Sequence, residues 1–338
     1  MNTPLTDQLR EIVEAVTIES ATSFCIGNEM KEVNFLNPIT SDHGQYLESP
    51  LTHDLQLAIY ETFYSGIDPS KLPKPLDPAP REEHLRALRT ANTANEGWDR
   101  DWRIFGVARD GVYATKGQRA LYLPNGFFVL ASRAKELKEG ELADVRCYGS
   151  SEVSQPSFYF GYSNIGATSI GNRRSIRFYW NCQPAGAVEI FRETSERFNR
   201  FQIPYEMKCL MHPEFYVRRD SLVMYLKPPY LRAAFEQVKR IYPLVAKHLD
   251  EPSPLFTRRL APGLSMAETP PGNVSFGMHR CGLIARALVQ AHESGVSDNT
   301  KRSQLVLDEF ARKNISLKRP WLDHGEHDPF GIGEFELS

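Results

Sequence analysis

The segment at residues 175–249 has the most regular pattern in this chain of 338 residues, and it limits the folds available. Alternating apolar and polar residues predict strands at 175–182, 205–211 and 221–227. Apolar residues at helical spacing predict helices at 185–199 and 230–249. This order of elements predicts an α+β fold, in which helices pack on a mixed or antiparallel sheet.

The residues before this segment are predicted to form an N-terminal helical region at 1–98, with residues 1–67 helical up to a proline-rich connector at 68–80. Five prolines occur within the connector DPSKLPKPLDPAP. Proline removes a backbone donor and clashes with the preceding turn, so such a segment is not expected inside a helix. The α+β domain is expected to occupy residues 99–338.

Within that domain, apolar and polar residues begin to alternate at residue 102. The tripeptide RDG at 109–111 is typical of a hairpin turn. We therefore predict a small antiparallel β-rich segment at 102–163, followed by an α/β core at 175–313 and a tail at 314–338. A further stretch, 251–275, contains five prolines and two glycines and is predicted to be an ordered loop draped over a surface.

Charge and cysteine content exclude several classes of function. The chain has 40 Lys and Arg against 42 Asp and Glu, so its net charge favours neither nucleic acid nor an anionic membrane. No apolar run approaches the roughly 20 residues of a membrane span, and the N-terminus lacks signal-peptide features. The five cysteines are scattered, which argues against a zinc site or a disulfide framework. We expect a reducing, cytoplasmic location and no metal.

The strand RSIRFYWNC places polar side chains on one face. Alternation puts Ile176, Phe178 and Trp180 together, and these bulky residues are expected in the core. Arg177 and Tyr179 then share the opposite face, which is expected to border a groove or solvent.

Lys208 lies in the middle of the strand YEMKCLMH, between Met207 and Cys209. One interpretation is an edge-strand lysine whose ammonium reaches solvent. The other is a desolvated lysine whose lowered pKa lets it act as a base. The sequence leaves both open.

Other basic residues flank later elements. Arg218 and Asp220 precede a strand, Arg258 lies in the proline-rich stretch, and His279 and Arg280 follow Ser275, a plausible helix N-cap. These residues form solvated turns in one interpretation. In the other they converge on one basic cleft, where arginine and a helix N-terminus bind an anion. An anion suits SFGMHRC (275–281) better than a metal, because no second His or Cys lies one turn away.

Six segments carry specific combinations of residues: IESATSFCIGN (18–28), GWDRDWRIF (97–105), RFYWN (177–181), the stretch from KCL (208–210) through FYVRRDSLVMYL (215–226), LFTRRLAPGLSMAE (255–268) and SFGMHRC (275–281). Together they resemble the HopA family, which comprises the type III effector Hrp outer protein A and its bacterial, often cyanobacterial, relatives. The similarity extends from about residue 10 to about residue 293.

This resemblance implies an α+β domain and a possible activity. Some related proteins are lyase partners in lanthipeptide and thioamitide pathways. There, a separate kinase-like protein phosphorylates Ser or Thr, and the HopA-like protein eliminates phosphate to leave a dehydro amino acid. This chain carries no kinase signature, so its expected substrate is an already phosphorylated peptide. We expect no cofactor and a bacterial cytoplasmic location.

Residue chemistry joined to these family motifs suggests roles in such an elimination. Lys208 is the expected base, with Tyr179 as second choice, and His279 is the expected acid. Asp220 is expected to orient an arginine. The expected phosphate ligands are Arg177, Arg218, Arg258 and Arg280.

Two rival functions remain. The same basic cleft could bind a phosphopeptide or acidic peptide without turnover. The relevant partner could also be another protein, as for the effector members of the family. A binding module needs the arginines but has no need of a desolvated base, so the state of Lys208 separates the alternatives.

Overall fold

The structure is a computed structural model that describes residues 4–34, 49–67, 77–117, 119–133, 136–164, 175–271 and 274–337. Its helices are α1 (Pro4–Ala15), α2 (Pro50–Ile59), α3 (Pro78–Ala91), α4 (Pro184–Arg200), α5 (Leu231–Val245), α6 (Phe276–Glu293) and α7 (Asn299–Arg312). Its strands are β1 (Val16–Ser20), β2 (Ser23–Ile26), β3 (Glu29–Glu32), β4 (Gly97–Val107), β5 (Gly111–Lys116), β6 (Arg119–Pro124), β7 (Phe128–Leu130), β8 (Leu142–Cys147), β9 (Ser150–Ser151), β10 (Phe158–Tyr162), β11 (Ile176–Trp180), β12 (Tyr205–Leu210), β13 (Leu222–Leu226), β14 (Arg258–Ala261) and β15 (Leu264–Glu268).

A central sheet organises the molecule. Its strand order is β14-β15-β11-β13-β12-β10-β9, and neighbouring strands run antiparallel. Helices cover the sheet on both sides, so the predicted α+β class is confirmed.

One side of the central sheet, which we call the α5 face, packs against α3, α4 and α5. Ile176, Phe178 and Trp180 are fully buried there, as their alternation predicts. Phe178 stacks on Phe235 of α5 with ring centroids 6.5 Å apart. Because side chains alternate along β11, Arg177 and Tyr179 lie on the opposite side of the sheet, which we call the cleft face.

Helices α1 and α2 pack on the cleft face beside α6 and α7. Leu9 of α1, Leu55 of α2 and Leu288 of α6 belong to one hydrophobic cluster. Gln56 also donates a 2.6 Å hydrogen bond to the carbonyl oxygen of Met278. Side chains from both predicted regions, 1–98 and 99–338, therefore share a core.

The prediction that residues 1–67 are helical was wrong at residues 16–32, where β1, β2 and β3 form a three-stranded antiparallel sheet. These strands are only four or five residues long, too short for a period of two to stand out. Phe24 and Ile26 of β2 are buried, and they hold the small sheet against the helices.

Residues 68–76 of the predicted connector at 68–80 lie outside the described residues. Residues 78–80 were assigned to it wrongly, because α3 begins at Pro78. Asp77 caps this helix by accepting a hydrogen bond from the backbone of Ala79. The N–H groups in the first turn of a helix have no acceptor within the helix. Proline, which lacks this N–H, is therefore tolerated there without loss of a hydrogen bond.

The loop predicted at 251–275 contains β14 and β15. All five residues of β15 are buried, so its sequence LSMAE shows no alternation that could reveal a strand. The turn between the strands contains Gly263, whose φ of 72° suits glycine. Helices α6 and α7 follow these strands within the predicted α/β core at 175–313.

The β-rich segment predicted at 102–163 divides between two sheets. Strands β6-β5-β4-β8-β7 form a small sheet, whose own core includes Trp102, Ile104 and Val145. Strands β9 and β10 instead extend the central sheet. No helix in the described ranges is long and apolar enough to cross a membrane.

Candidate functional site

An open cleft of about 1490 Å³ lies against the cleft face of the central sheet. Its floor is formed by β10, β11, β12 and β13. Tyr60 and Tyr64, which follow α2, and Ser275 and Met278 at the start of α6 form one wall. Residues of the small sheet and its connections, including Phe127, form another part of the lining.

The strand register arranges the floor in two rows. One row runs from Arg177 through Tyr225 to Glu206, because these residues pair across β11, β13 and β12. The next row runs from Tyr179 through Val223 to Lys208. Residues far apart in sequence therefore meet on one surface.

Lys208 lies on an internal strand, since β12 pairs with both β10 and β13. The edge-strand interpretation was therefore wrong. Its Nζ donates a 2.8 Å hydrogen bond to Oε1 of Gln155 and lies 4.6 Å from the centre of the Phe158 ring. Burial, with a further contribution from the charge of Arg177, lowers the pKa of Lys208 to about 8. A substantial fraction of this amine is therefore neutral near physiological pH.

Arg218 and Asp220 form a buried pair at the end of the cleft floor. Arg218 Nε lies 2.6 Å from Oδ1 of Asp220, and Nη2 lies 2.9 Å from Oδ2. Burial alone would raise the pKa of Asp220, but the charge and hydrogen bonds of Arg218 hold it below its ordinary value. Asp220 therefore holds the Arg218 side chain in place.

Tyr60 contacts both residues of this pair and was not among the predicted site residues. Its hydroxyl donates a 2.7 Å hydrogen bond to Asp220 and accepts one of 2.8 Å from Arg218. Tyr60 begins a π-helical turn, Tyr60–Ser65, which directly follows α2. No periodic pattern marks such a turn, so this contact could not be predicted from the sequence.

Arg177, which begins the first row on β11, is held in place by neighbouring residues. Its Nε donates to Oγ1 of Thr269 at 3.0 Å, and its Nη2 donates to the carbonyl oxygen of Val274 at 3.2 Å. Its guanidinium lies 5.2 Å from the centre of the Tyr225 ring. These contacts fix the side chain through Nε and Nη2.

Tyr179 lines the cleft beside Arg177 and is only 3% exposed. Its hydroxyl has no hydrogen-bond partner of normal geometry among the residues that the structure describes. Burial raises its pKa to about 12, against the opposing effect of the Arg177 charge. The hydroxyl therefore stays protonated at neutral pH, which suits a hydrogen-bond donor and does not suit the base role considered for it.

Arg280 does not line this cleft, contrary to the expected convergence. It is fully buried beneath the C-terminal segment, where it donates to the carbonyl oxygens of Pro320 at 3.1 Å and Leu322 at 2.7 Å. It also forms an ion pair with Asp323. These contacts use its donors in holding that segment against α6.

His279 is turned toward the same buried region and is not among the cleft residues. Its Nδ1 lies 2.6 Å from Nη1 of Arg280. Burial, followed by the charge of Arg280, lowers the pKa of His279 to about 3. The imidazole is therefore neutral at pH 7, and the expected role of His279 as the acid is withdrawn.

Arg258 lies on the opposite side of the sheet from the cleft. It pairs with Met266 of β15, which in turn pairs with Phe178 of β11, so its side chain belongs to the α5 face. Its guanidinium donates to the carbonyl oxygen of Ile332. The expected phosphate ligands that do line the cleft are Arg177 and Arg218.

Ser275 caps α6, as its position in the sequence predicted. Its Oγ accepts a 3.4 Å hydrogen bond from the backbone of Met278. The close packing of this first turn depends on Gly277, where a Cβ would come within 2.5 Å of a ring carbon of Tyr64. The start of α6 is therefore pressed against the π-helical turn at the wall of the cleft.

Across the described ranges, no three His, Cys, Asp or Glu side chains come together in a way that could hold a metal ion.

Comparison with known proteins gave a family match and matches to several solved structures, including two effector proteins. The model of the HopA1 effector protein family matches residues 150–322, just over half of the chain. An effector protein from Pseudomonas syringae pv. tomato strain DC3000 is 18% identical, with 80% of this chain and 90% of that chain covered at a TM-score of 0.44. An effector protein from Pseudomonas syringae pv. syringae strain 61 is 12% identical, with 81% and 92% covered at a TM-score of 0.43. The search of curated proteins gave no match.

Proposed function

This chain belongs to the HopA1 effector protein family, and on that premise we propose that its cleft binds a phosphorylated peptide and eliminates phosphate from phosphoserine or phosphothreonine. The product would be a peptide with a dehydro amino acid, as in the maturation of peptide natural products. The observation that carries this proposal is a partly buried lysine with a pKa of about 8, in the same cleft as two arginines.

The proposed base is Lys208. Its neutral amine removes the proton from Cα of the phosphorylated residue, and the electron pair of that bond forms the Cα–Cβ double bond. The Cβ–O bond breaks, and its electron pair leaves with the phosphate. The resulting ammonium returns its proton to water. An amine with a pKa close to the working pH combines a useful neutral fraction with adequate basicity.

Arg177 and Arg218 supply positive charge for the leaving group. Guanidinium groups bind phosphate oxygens through charge-assisted hydrogen bonds, and these strengthen as negative charge builds up on the departing group. Both side chains are fixed by other contacts: Arg177 by Thr269, and Arg218 by Asp220. The charges are thus in place before the substrate arrives, so little reorganisation accompanies the reaction.

The cleft supports a peptide as the substrate class. Its volume of about 1490 Å³ exceeds what a single phosphorylated amino acid fills. Aromatic side chains of β10, Phe158 and Phe160, lie beside Lys208 and offer apolar contact to neighbouring residues of a peptide. The phosphate would be introduced by a separate kinase-like protein.

A second candidate is a phosphopeptide-binding module without turnover. The hydrogen bond between Lys208 and Gln155 favours it, because this contact occupies the amine when no substrate is bound. The arginines alone would then account for affinity.

The test uses phosphoserine and phosphothreonine peptides incubated with the full chain, with loss of phosphoric acid followed by mass spectrometry. We expect elimination by the wild type, none by Lys208→Ala, and retained phosphopeptide affinity in that variant. Arg258→Ala is the control, since Arg258 is on the other face of the sheet. Undiminished elimination by Lys208→Ala would remove Lys208 as the base. Binding without elimination by the wild type would support the second candidate.

A further inference from the structure

The N-terminal end of α6 faces the cleft. Ser275 and Met278 line it, and the Ser275 side chain uses the backbone N–H of Met278. The two preceding N–H groups, of Phe276 and Gly277, have no hydrogen-bond partner within the described ranges. The first N–H groups of a helix carry partial positive charge and attract anions.

Arg177 brings a full positive charge to this helix end. Its hydrogen bond to the carbonyl oxygen of Val274 places the guanidinium beside the residue that precedes the Ser275 cap. The side chain is only 8% exposed, and its contact with Thr269 holds it in this position. A buried cation next to a helix N-terminus forms a site that is complementary to a compact anion.

Tyr179 provides an independent sign that a ligand belongs here. Its ring centroid lies 6.3 Å from that of Phe276, the first residue of α6. Tyr179 is only 3% exposed, and its hydroxyl lies near Arg177 and Tyr64 but makes no hydrogen bond of normal geometry with any described residue. A buried hydroxyl without a partner costs free energy, and a bound anion would remove that cost by accepting its hydrogen bond.

We propose that the backbone N–H groups of Phe276 and Gly277, the guanidinium of Arg177 and the hydroxyl of Tyr179 form the seat of the phosphate group. This inference rests on the proposed function only for the ligand, a phosphate monoester on a peptide. The geometry of the seat does not depend on turnover.

The position of the seat suits the proposed elimination. Tyr179 and Lys208 lie in the same row of the sheet, separated by Val223 on the strand between them. Two strand spacings correspond to about 10 Å between the backbones of these residues. A phosphorylated residue fits in this space, with its phosphate beside Tyr179 and its Cα directed at Lys208.

The test measures binding of inorganic phosphate to the full chain by phosphorus NMR titration. We expect Tyr179→Phe to weaken binding about tenfold, the loss of one hydrogen bond to a charged acceptor. Arg177→Gln should weaken it at least as much. Arg258→Gln is the matched control and should bind as the wild type does, because Arg258 lies on the α5 face.

Thermal unfolding without ligand shows whether Tyr179 acts through structure instead. Since its hydroxyl makes no hydrogen bond of normal geometry within the described ranges, Tyr179→Phe should unfold at the wild-type temperature or above. A lower unfolding temperature would contradict the proposal, as would unchanged phosphate affinity in Tyr179→Phe or a wild type that does not bind phosphate.

Peptide titrations separate the two sources of phosphate and the two proposals. A phosphothreonine peptide should displace inorganic phosphate, and its unphosphorylated form should not. If free phosphate binds but the phosphopeptide does not displace it, the seat is not for a monoester and this inference is overturned. Phosphate binding that depends on Tyr179, without elimination, would refute the lyase activity but leave the seat. Elimination unaffected by Tyr179→Phe, with unchanged phosphate affinity, would refute the seat alone.

Discussion

Lys208 Nζ donates a 2.8 Å hydrogen bond to Oε1 of Gln155, which lies in the connection between β9 and β10. This contact links the cleft floor to a segment that also lines the cleft. Gln155 therefore influences both the position of the amine and the ease with which it loses its proton.

Substitutions at Gln155 should shift the pH dependence of elimination in opposite directions. Wild-type activity should rise with pH and reach half of its maximum near pH 8, where half of the Lys208 side chains are neutral. Gln155→Glu places a negative charge beside the ammonium and should move the midpoint to higher pH. Gln155→Leu removes the acceptor and should move it lower. Rates measured from pH 6 to 10 check this, and equal midpoints in all three proteins would contradict it.

Replacement of Lys208 should change the pH dependence of stability. Its pKa is about 8 in the folded chain and 10.5 in its ordinary state, so between these values the unfolded chain binds more protons. The free energy of unfolding of the wild type, relative to that of Lys208→Met, should therefore increase between about pH 8 and pH 10.5. The cost of burying the charged amine should be greatest below pH 8. Urea unfolding at several pH values measures this difference. A difference that does not vary with pH would count against a desolvated lysine.

Loss of the Asp220 charge should be strongly destabilising. Asp220→Asn leaves the buried guanidinium of Arg218 without its counter-ion, and breaking a buried pair in this way costs about 3–5 kcal/mol. Because the pKa of Asp220 is lowered in the folded chain, the pair stabilises above the ordinary carboxyl pKa, and its contribution is lost as pH falls. The difference in the free energy of unfolding should shrink in acid.

The control for this experiment is Asp7→Asn. Asp7 pairs with Arg10 on the exposed surface of α1, and such pairs contribute about 0–1 kcal/mol. Equal losses in the two variants would show that the Arg218–Asp220 pair has no special role.

Gly277→Ala should destabilise the chain although alanine is the better helix former. The added Cβ would lie 2.5 Å from Cε1 of Tyr64 and 2.6 Å from Cε2 of Tyr60, so α6 or the π-helical turn must move. We expect a loss of about 1–3 kcal/mol in the free energy of unfolding, together with weaker phosphate binding. Gly97→Ala is the control, since a Cβ there meets nothing within 4 Å. A stabilised Gly277→Ala variant would refute the close approach.

Local pattern in the sequence determined which face of a strand each side chain takes. The period of two assigned Arg177 and Tyr179 to the face opposite Phe178, and it placed Lys208 opposite Met207. The cap at Ser275 was also predictable, because capping depends on residues within one turn. Short or fully buried strands carried no such signal, and β1–β3 and β14–β15 were missed for this reason.

Only the tertiary structure decided which of these residues share an environment. Arg258 follows the row of Phe178 because of the register between β14, β15 and β11, which no local pattern reveals. Arg280 is bound by the segment around Pro320, forty residues later, and burial together with the charge of Arg280 keeps His279 neutral. The lowered pKa of Lys208 has the same kind of origin. Burial and electrostatic interaction depend on distance in space, whereas sequence patterns record only neighbours along the chain.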